Sequence, residues 1–183
     1  MQYPFNKTWW VNQGQILAGG YPGHRDASIH EDMVDALVSV GITDFINLQE
    51  ADEKVNGKPF RDYFSTAQPI ARERGVELGF HRFPIADQKV PDHQLLADCL
   101  NQIDRILDES GKPYVHCWGG NGRTGTVIGC WLVRHGRSPE EAIQEMAAGR
   151  VGREFRFAAP ENASQKAFIQ AWVQHDPALG SKG

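Results

Sequence analysis

An α/β domain, with a central and mostly parallel sheet flanked by helices, is the fold class the chain predicts. Three observations carry that prediction. Short β-patterned runs alternate with helix-patterned segments as far as Cys117. Beyond it helix patterns dominate. The 183 residues, 40% hydrophobic and 23% charged, suffice for one filled core and match an ordinary soluble domain. No repeat, low-complexity tract or linker interrupts them, so a single domain over 1–183 is expected, with its core at about 15–175.

The elements follow in order. QILAGG (15–20) reads as a short strand ending in glycines. SIHEDMVDALVSVG (28–41) reads as a helix, with Ser28 as N-cap, Glu31 three residues on, Met33, Leu37 and Val40 on one face, and Gly41 as the stop. TDFINLQ (43–49) is a strand, followed by a polar loop with Gly57 and Pro59. Residues 60–75 look helical, but Pro69 is expected to kink or split them. VELGFHRFPI (76–85) is the next strand. The clearest helix spans 91–111, with Pro91 near its start, an apolar face of Leu95, Leu96, Cys99, Ile103, Ile106 and Leu107, and Gly111 at its end. PYVHC (113–117) is a buried strand and 123–136 a helix. Residues 138–149 form another, capped by Ser138 with Pro139 first, and 161–175 form the last.

Bulk properties exclude several classes. A net charge of −4 gives no general affinity for nucleic acid. No apolar run is long enough to span a bilayer, and the N-terminus lacks the pattern of a signal peptide, so no membrane association is expected. The three cysteines, Cys99, Cys117 and Cys130, include no C-x-x-C pair and are odd in number, which fits a reducing, cytoplasmic setting. His81, His93 and His135 lack ligand spacing, so neither metal nor cofactor is implied.

The stretch YVHCWGGNGRTGT (114–126) carries the chemistry, and it supports two readings. Gly120, Gly122 and Gly125 spell G-x-G-x-x-G, the dinucleotide fingerprint, after a strand and before a helix. That reading needs a further parallel strand with an acidic residue about 20 residues on. Glu140 and Glu141 stand there, but in the first turn of a helix. A Walker A loop fails as well, because no Lys follows.

The second reading takes Cys117, five residues, then Arg123. A thiol is a weak nucleophile until it is a thiolate. At the end of a strand, facing the first turn of a helix, Cys117 would sit in a nest formed by the N–H groups of Trp118, Gly119, Gly120, Asn121, Gly122 and Arg123. The same nest would hold the oxygens of a phosphate, with Arg123 as a bidentate clamp. Thr124 would donate its hydroxyl to the Cys117 sulfur, and His116 would orient the loop through backbone bonds.

HCWGGNGRTG resembles the signature H-C-x5-R-[ST]-G of the cysteine-dependent protein tyrosine phosphatase superfamily. FPIADQKVPD (83–92), ahead of a long helix, resembles the general-acid loop of its dual-specificity members and is most similar to that of the kinase-associated phosphatases. The likeness covers roughly 15–173 and is strongest in 83–136. It implies two-step hydrolysis of a phosphate monoester through a cysteinyl-phosphate, with one acid serving first as proton donor and then as base. By the same likeness Asp87 is favoured as that acid over Asp92, which stands at a helix start where an aspartate serves the helix dipole. Gln165 would position the hydrolytic water as in tyrosine phosphatases, or is simply a polar residue of a surface helix.

Other residues have plainer readings. Cys99 and Cys130 lie on apolar helix faces as core residues, and Trp9 and Trp10 pack the N-terminal arm. Tyr21 either walls a pocket or serves a turn, and Arg153 and Arg156 are either substrate-side cations or surface charges. No charged residue lies between Cys117 and Arg123, which argues against inositol lipids. The expected substrate is a phosphorylated protein, carrying phosphotyrosine and also phosphoserine or phosphothreonine, hydrolysed by a monomer. A small phosphate ester such as an inositol phosphate, an inactive phosphate-binding module and a sulfurtransferase are the alternatives.

Overall fold

The computed structural model describes residues 2–180. Its main sheet has five strands: β1 (Thr8–Val11), β2 (Ile16–Gly19), β3 (Asp44–Asn47), β6 (Gly79–Arg82) and β7 (Pro113–His116), in the spatial order β1-β2-β7-β3-β6. Only β1 runs antiparallel, paired with β2; the other pairings are parallel. Helices α1 (Ala27–Ser39), α2 (Phe64–Glu73), α3 (His93–Asp108), α4 (Gly122–Arg134), α5 (Pro139–Gly149) and α6 (Ala163–Ala171) cover the two faces.

Strand alternation divides the core in two. Ala18, Ile46 and Val115 point to the side packed by α3, α4, α5 and α6. Leu17, Phe45 and Tyr114 point to the other, where Val34 and Leu37 of α1 and Ala67 of α2 meet them. The register places Gly19, His116, Asn47 and Arg82 side by side across four strands. Every loop leaving that row therefore emerges on one edge, where open parallel sheets place their ligands.

Several sequence expectations need correction. β1 lies ahead of the expected core as an additional strand, and its Trp9 packs into the core against Phe155, as expected of the N-terminal arm. Asp26, not Ser28, caps α1, because its carboxylate accepts from the Ser28 and Ile29 amides. The buried face of α1 is His30, Val34, Leu37 and Val38, with the expected Met33 and Val40 only partly buried. Pro69 does not split α2, which runs through it. Ala67 and Ala71 are buried, and tertiary packing of this kind offsets the roughly 3 kcal/mol that an interior proline costs a helix only in part. The polar loop with Gly57 and Pro59 contains a small hairpin of β4 (Lys54–Val55) and β5 (Lys58–Pro59). The helix expected over 161–175 is α6, which ends at Ala171 and continues as one 3-10 turn, Trp172–Gln174, and a short α7 (Pro177–Gly180) follows.

Ser138 and Pro139 start α5 as expected, with a complete capping box to Glu141. Asp92 caps α3 by accepting from Leu95 N at 2.8 Å.

Candidate active site

Cys117 follows β7, the central strand, and ends at the base of a cavity of about 280 Å³. Trp118, Gly119, Asn121, Gly122 and Arg123 line it with Asp87, Gln88, Lys7, Arg156, Phe157 and Glu161. Gly122 and Arg123 are the first two residues of α4, whose N–H groups have no partner inside the helix.

The three fingerprint glycines do different work. Gly120 has φ +73°, and a Cβ there would stand 2.6 Å from Gly19 C and Gly20 N, so the loop closes against the end of β2 only with glycine. Gly122 faces α6, and Gly125 faces the loop ahead of it. A Cβ on Gly122 would lie 2.6 Å from Gln165 Nε2, and one on Gly125 would lie 2.9 Å from Ala159 Cβ. Close packing of α4 on α6 and on the loop before it, not a pyrophosphate, accounts for two of the three.

Around the sulfur the side chains are fixed. Thr124 Oγ1 is 3.1 Å from Cys117 Sγ and 3.2 Å from the Gly19 carbonyl. His116 is fully buried, with Nδ1 3.4 Å from the Cys117 carbonyl and Nε2 2.6 Å from the Tyr63 hydroxyl. A carbonyl only accepts, so Nδ1 carries the hydrogen and Nε2 accepts from Tyr63. Burial pushes His116 down to about 3, against a weaker upward pull from the Cys117 carbonyl. The imidazole is therefore neutral, and it braces the loop without adding charge.

Arg123 is 2% exposed and reaches the cavity from α4. Nη1 donates to Glu53 Oε2 at 2.6 Å and to the Ile85 carbonyl at 3.1 Å. Nη2 donates to Glu53 Oε1 at 2.9 Å and lies 2.9 Å from Asp87 Oδ1. Burial opposes the charge on both partners, but pairing outweighs it, holding Glu53 below and Arg123 above their ordinary ranges. The sequence reading missed Glu53. It stands in a loop with no motif, and only the strand register shows that the exit of β3 meets the exit of β7.

Asp87 sits on the loop after β6 with its side chain 52% exposed, facing Arg123. Asp92 is held as the α3 cap. Gln165 is fully buried but does not line the cavity. Its Oε1 accepts from Glu161 N and Asn162 N at 3.1 and 3.2 Å, and its Nε2 is 3.4 Å from the Lys89 carbonyl. Asn162 Nδ2 donates to the Gln88 carbonyl at 3.1 Å, so the start of α6 braces the Asp87 loop.

Of the remaining candidates, Arg156 lines the cavity, whereas Arg153 donates to the Thr8 and Phe5 carbonyls and ties down the N-terminal segment. Tyr21 packs on Phe60 and Tyr63 and lines a neighbouring depression instead. Cys99 and Cys130 are buried free thiols pushed upward by burial. Among the described residues no helix is long and apolar enough to cross a membrane.

Known proteins resemble this arrangement. The solved kinase-associated phosphatase, with serine replacing its catalytic-site cysteine, superposes with TM-score 0.73 over 100% of both chains at 21% identity, a likeness of fold. Tk-PTP in its active form gives TM-score 0.66 at 25% identity over 92% of this chain and 97% of that one. A protein of Invertebrate iridescent virus 6 described as a tyrosine phosphatase is 30% identical over 148 residues, 78% of this chain and 48% of its own length. The chain thus spans about half of that relative, and 22% of a phosphatidylinositol 3,4,5-trisphosphate 3-phosphatase and protein-tyrosine-phosphatase of Arabidopsis thaliana, 31% identical over half of this chain. The family model for the Swiss Army Knife protein DSP-PTPase phosphatase domain matches residues 6–169, nearly the whole described fold, and the chain belongs to that family.

Proposed function

We propose that the chain is a cysteine-dependent phosphatase that hydrolyses phosphate monoesters on proteins, phosphotyrosine and also phosphoserine or phosphothreonine. One observation carries this reading. Cys117 lies at the base of a cavity beside Thr124, with Arg123 and Asp87 in contact at its wall.

Each step has a residue. The loop amides and the α4 N-terminus bind the phosphate oxygens, and Arg123 turns its fork from Asp87 to the substrate while Glu53 holds it from behind. Cys117, as thiolate, attacks phosphorus. Asp87 then protonates the departing oxygen, and the phosphate passes to sulfur. A water deprotonated by Asp87 attacks the cysteinyl-phosphate, releasing inorganic phosphate and regenerating the thiolate, which the Thr124 hydroxyl stabilises. Gln165 serves this scheme by holding the α6 start against the acid loop.

At the mouth, Trp118 and Phe157 are 47% and 46% exposed, which suits an aromatic ring on the substrate. Lys7 and Arg156 stand there too, and they support a second reading in which the substrate is a small phosphate ester with further anionic groups.

The deciding experiment is hydrolysis of p-nitrophenyl phosphate without metal, as a pH–rate profile for wild type, Cys117→Ser and Asp87→Asn. Expected are abolished turnover in Cys117→Ser, and in Asp87→Asn a rate about 10²–10⁴-fold lower with loss of the alkaline limb. A folded wild type that hydrolyses nothing overturns the enzyme assignment. Rates on phosphotyrosyl and phosphothreonyl peptides against inositol phosphates then choose between the two substrate readings.

A further inference from the structure

Arg150 is the C-cap residue of α5 and is 8% exposed. Its guanidinium lies 3.9 Å from the centre of the Phe155 ring and 5.0 Å from that of Trp9. Nη2 donates to Asn121 Oδ1 in the signature loop, and to the Phe157 carbonyl at 3.0 Å. Nε is buried without a partner. Among the described residues no carboxylate comes within ion-pair distance of it.

An unpaired buried cation is costly, and proteins normally pair or remove one. Two aromatic faces offset part of that cost. The remaining compensation comes from the loop. Asn121 stands at the N-cap position of α4 with φ −108° and ψ −70°, not the extended backbone of a side-chain cap, and its side chain makes no bond to the helix amides. Its oxygen is taken by Arg150, which leaves those amides free for an anion. The charges agree. Arg123 is already matched by Glu53 and Asp87, so a phosphate dianion arriving beside Cys117 draws on the unpaired charge of Arg150 behind the loop as well as on Lys7 and Arg156 at the mouth. Burial lowers Arg150 to about 10, still charged at neutral pH, and the nearby Cys117 and Glu161 pull the other way.

We propose that Arg150 is a positioning residue of the phosphate cradle: it holds the Asn121 side chain away from the α4 amides, and its unpaired charge adds to the positive field that bound phosphate completes. The inference rests on the cradle binding phosphate, and the test reads binding directly, so it stands or falls apart from turnover.

The experiment is calorimetric binding of inorganic phosphate and of tungstate to wild type, Arg150→Lys, Arg150→Met, Asn121→Ala and the Arg150→Met/Asn121→Ala double variant, with thermal melts of each. Arg150→Met should melt at or above wild type, because an apolar chain of similar length replaces an unpaired buried charge, yet bind both oxyanions at least about tenfold more weakly. Arg150→Lys should keep an intermediate affinity. The double variant should bind no worse than the weaker single one, because the two residues act through one bond. With p-nitrophenyl phosphate, KM should rise in Arg150→Met more than kcat falls. A lower melting temperature with oxyanion affinity within about twofold of wild type would make Arg150 a structural anchor and overturn the proposal, as would additive losses in the double variant. Wild type that binds neither oxyanion would instead sink the phosphate-binding reading itself.

Discussion

Two buried arginines meet the signature loop from opposite sides, and their surroundings differ. Arg123, on the side of the strand ends, is held by two carboxylates, Glu53 and Asp87, and by the Ile85 carbonyl. Arg150, on the helical side, has two aromatic rings, an amide oxygen and a carbonyl, and no carboxylate. The difference teaches a division of labour. The two terminal nitrogens of Arg123 are engaged at rest, so it is aimed rather than attracted, and its bond to Asp87 is the one that can pass to a ligand. Arg150 is unsaturated at rest, so it supplies field rather than contact. Either arginine alone gives a poorer anion site: the first is neutralised, and the second does not line the cavity.

The largest expected effect breaks the first half of this comparison. Arg123→Ala should lower kcat/KM for p-nitrophenyl phosphate by about 10³-fold or more, since it removes a preorganised fork from a site shielded from water. It should also lower the melting temperature, because Glu53 loses its partner while only 12% exposed. Glu53→Gln should cost activity less, about tenfold, by loosening the fork. The double variant Arg123→Ala/Glu53→Gln should recover part of the melting temperature and none of the activity. Recovery of activity would show that Arg123 matters only as the partner of Glu53.

How much of this was legible beforehand divides along the same line. The residues of the strand-end side stand close together in sequence or carry a recognisable pattern, as Cys117, Arg123, Thr124 and Asp87 do. Local chemistry was enough to bring them forward. Glu53 and Arg150 carry no pattern, because their roles arise from tertiary approach. Glu53 follows β3, which the register sets beside β7. Arg150 ends a helix packed on α4 and reaches back to the loop. The α/β class and most elements were readable from hydrophobic periodicity, because each helix buries one face. β1 was not, because TWWV is a four-residue edge strand, and its pairing with β2 is the sign of its nature. The Ser28 cap was misplaced by two residues for a related reason. Asp26 and Ser28 are both good caps, and only the chain direction entering α1 chooses between them.

A smaller effect concerns His116, which burial keeps neutral at the foot of the loop. Folded, it titrates at about 3; unfolded, it returns to about 6.5. Between those values the unfolded chain binds the extra proton, so stability rises with pH there and is lost as pH falls. Across the whole window the loss approaches about 4 kcal/mol. Glu53, also lowered, adds its own loss only below the ordinary carboxylate range. Denaturant midpoints should therefore be insensitive to His116 protonation above about pH 7 and decline from pH 6.5 toward 4.5. His116→Gln, less stable at neutral pH through the loss of the Tyr63 bond, should flatten that decline. An equal slope in wild type and variant would assign the loss to other groups.

The smallest effects test the helical side, where α4 presents Gly122 and Gly129 to α6 and Gly125 to the loop ahead of it. A Cβ at Gly125 would stand 2.9 Å from Ala159 Cβ and 3.1 Å from the Cα atoms of Ala159 and Pro160, so backbone must move. A Cβ at Gly129 would overlap the end of the Ile169 side chain and lie 3.2 Å from Met146 Cε, groups that can turn away. Alanine also gains about 1 kcal/mol of helix propensity over glycine at either site. Gly129→Ala should therefore come out near zero to about 1 kcal/mol destabilised, with catalysis unchanged. Gly125→Ala should lose about 2 kcal/mol despite the same propensity gain. It should also weaken oxyanion binding, because the displaced segment carries Phe157, whose carbonyl holds Arg150. If both alanines melt alike and bind phosphate alike, the close approach of α4 to the late segment has no bearing on the loop, and the helical side of the site is only scaffold.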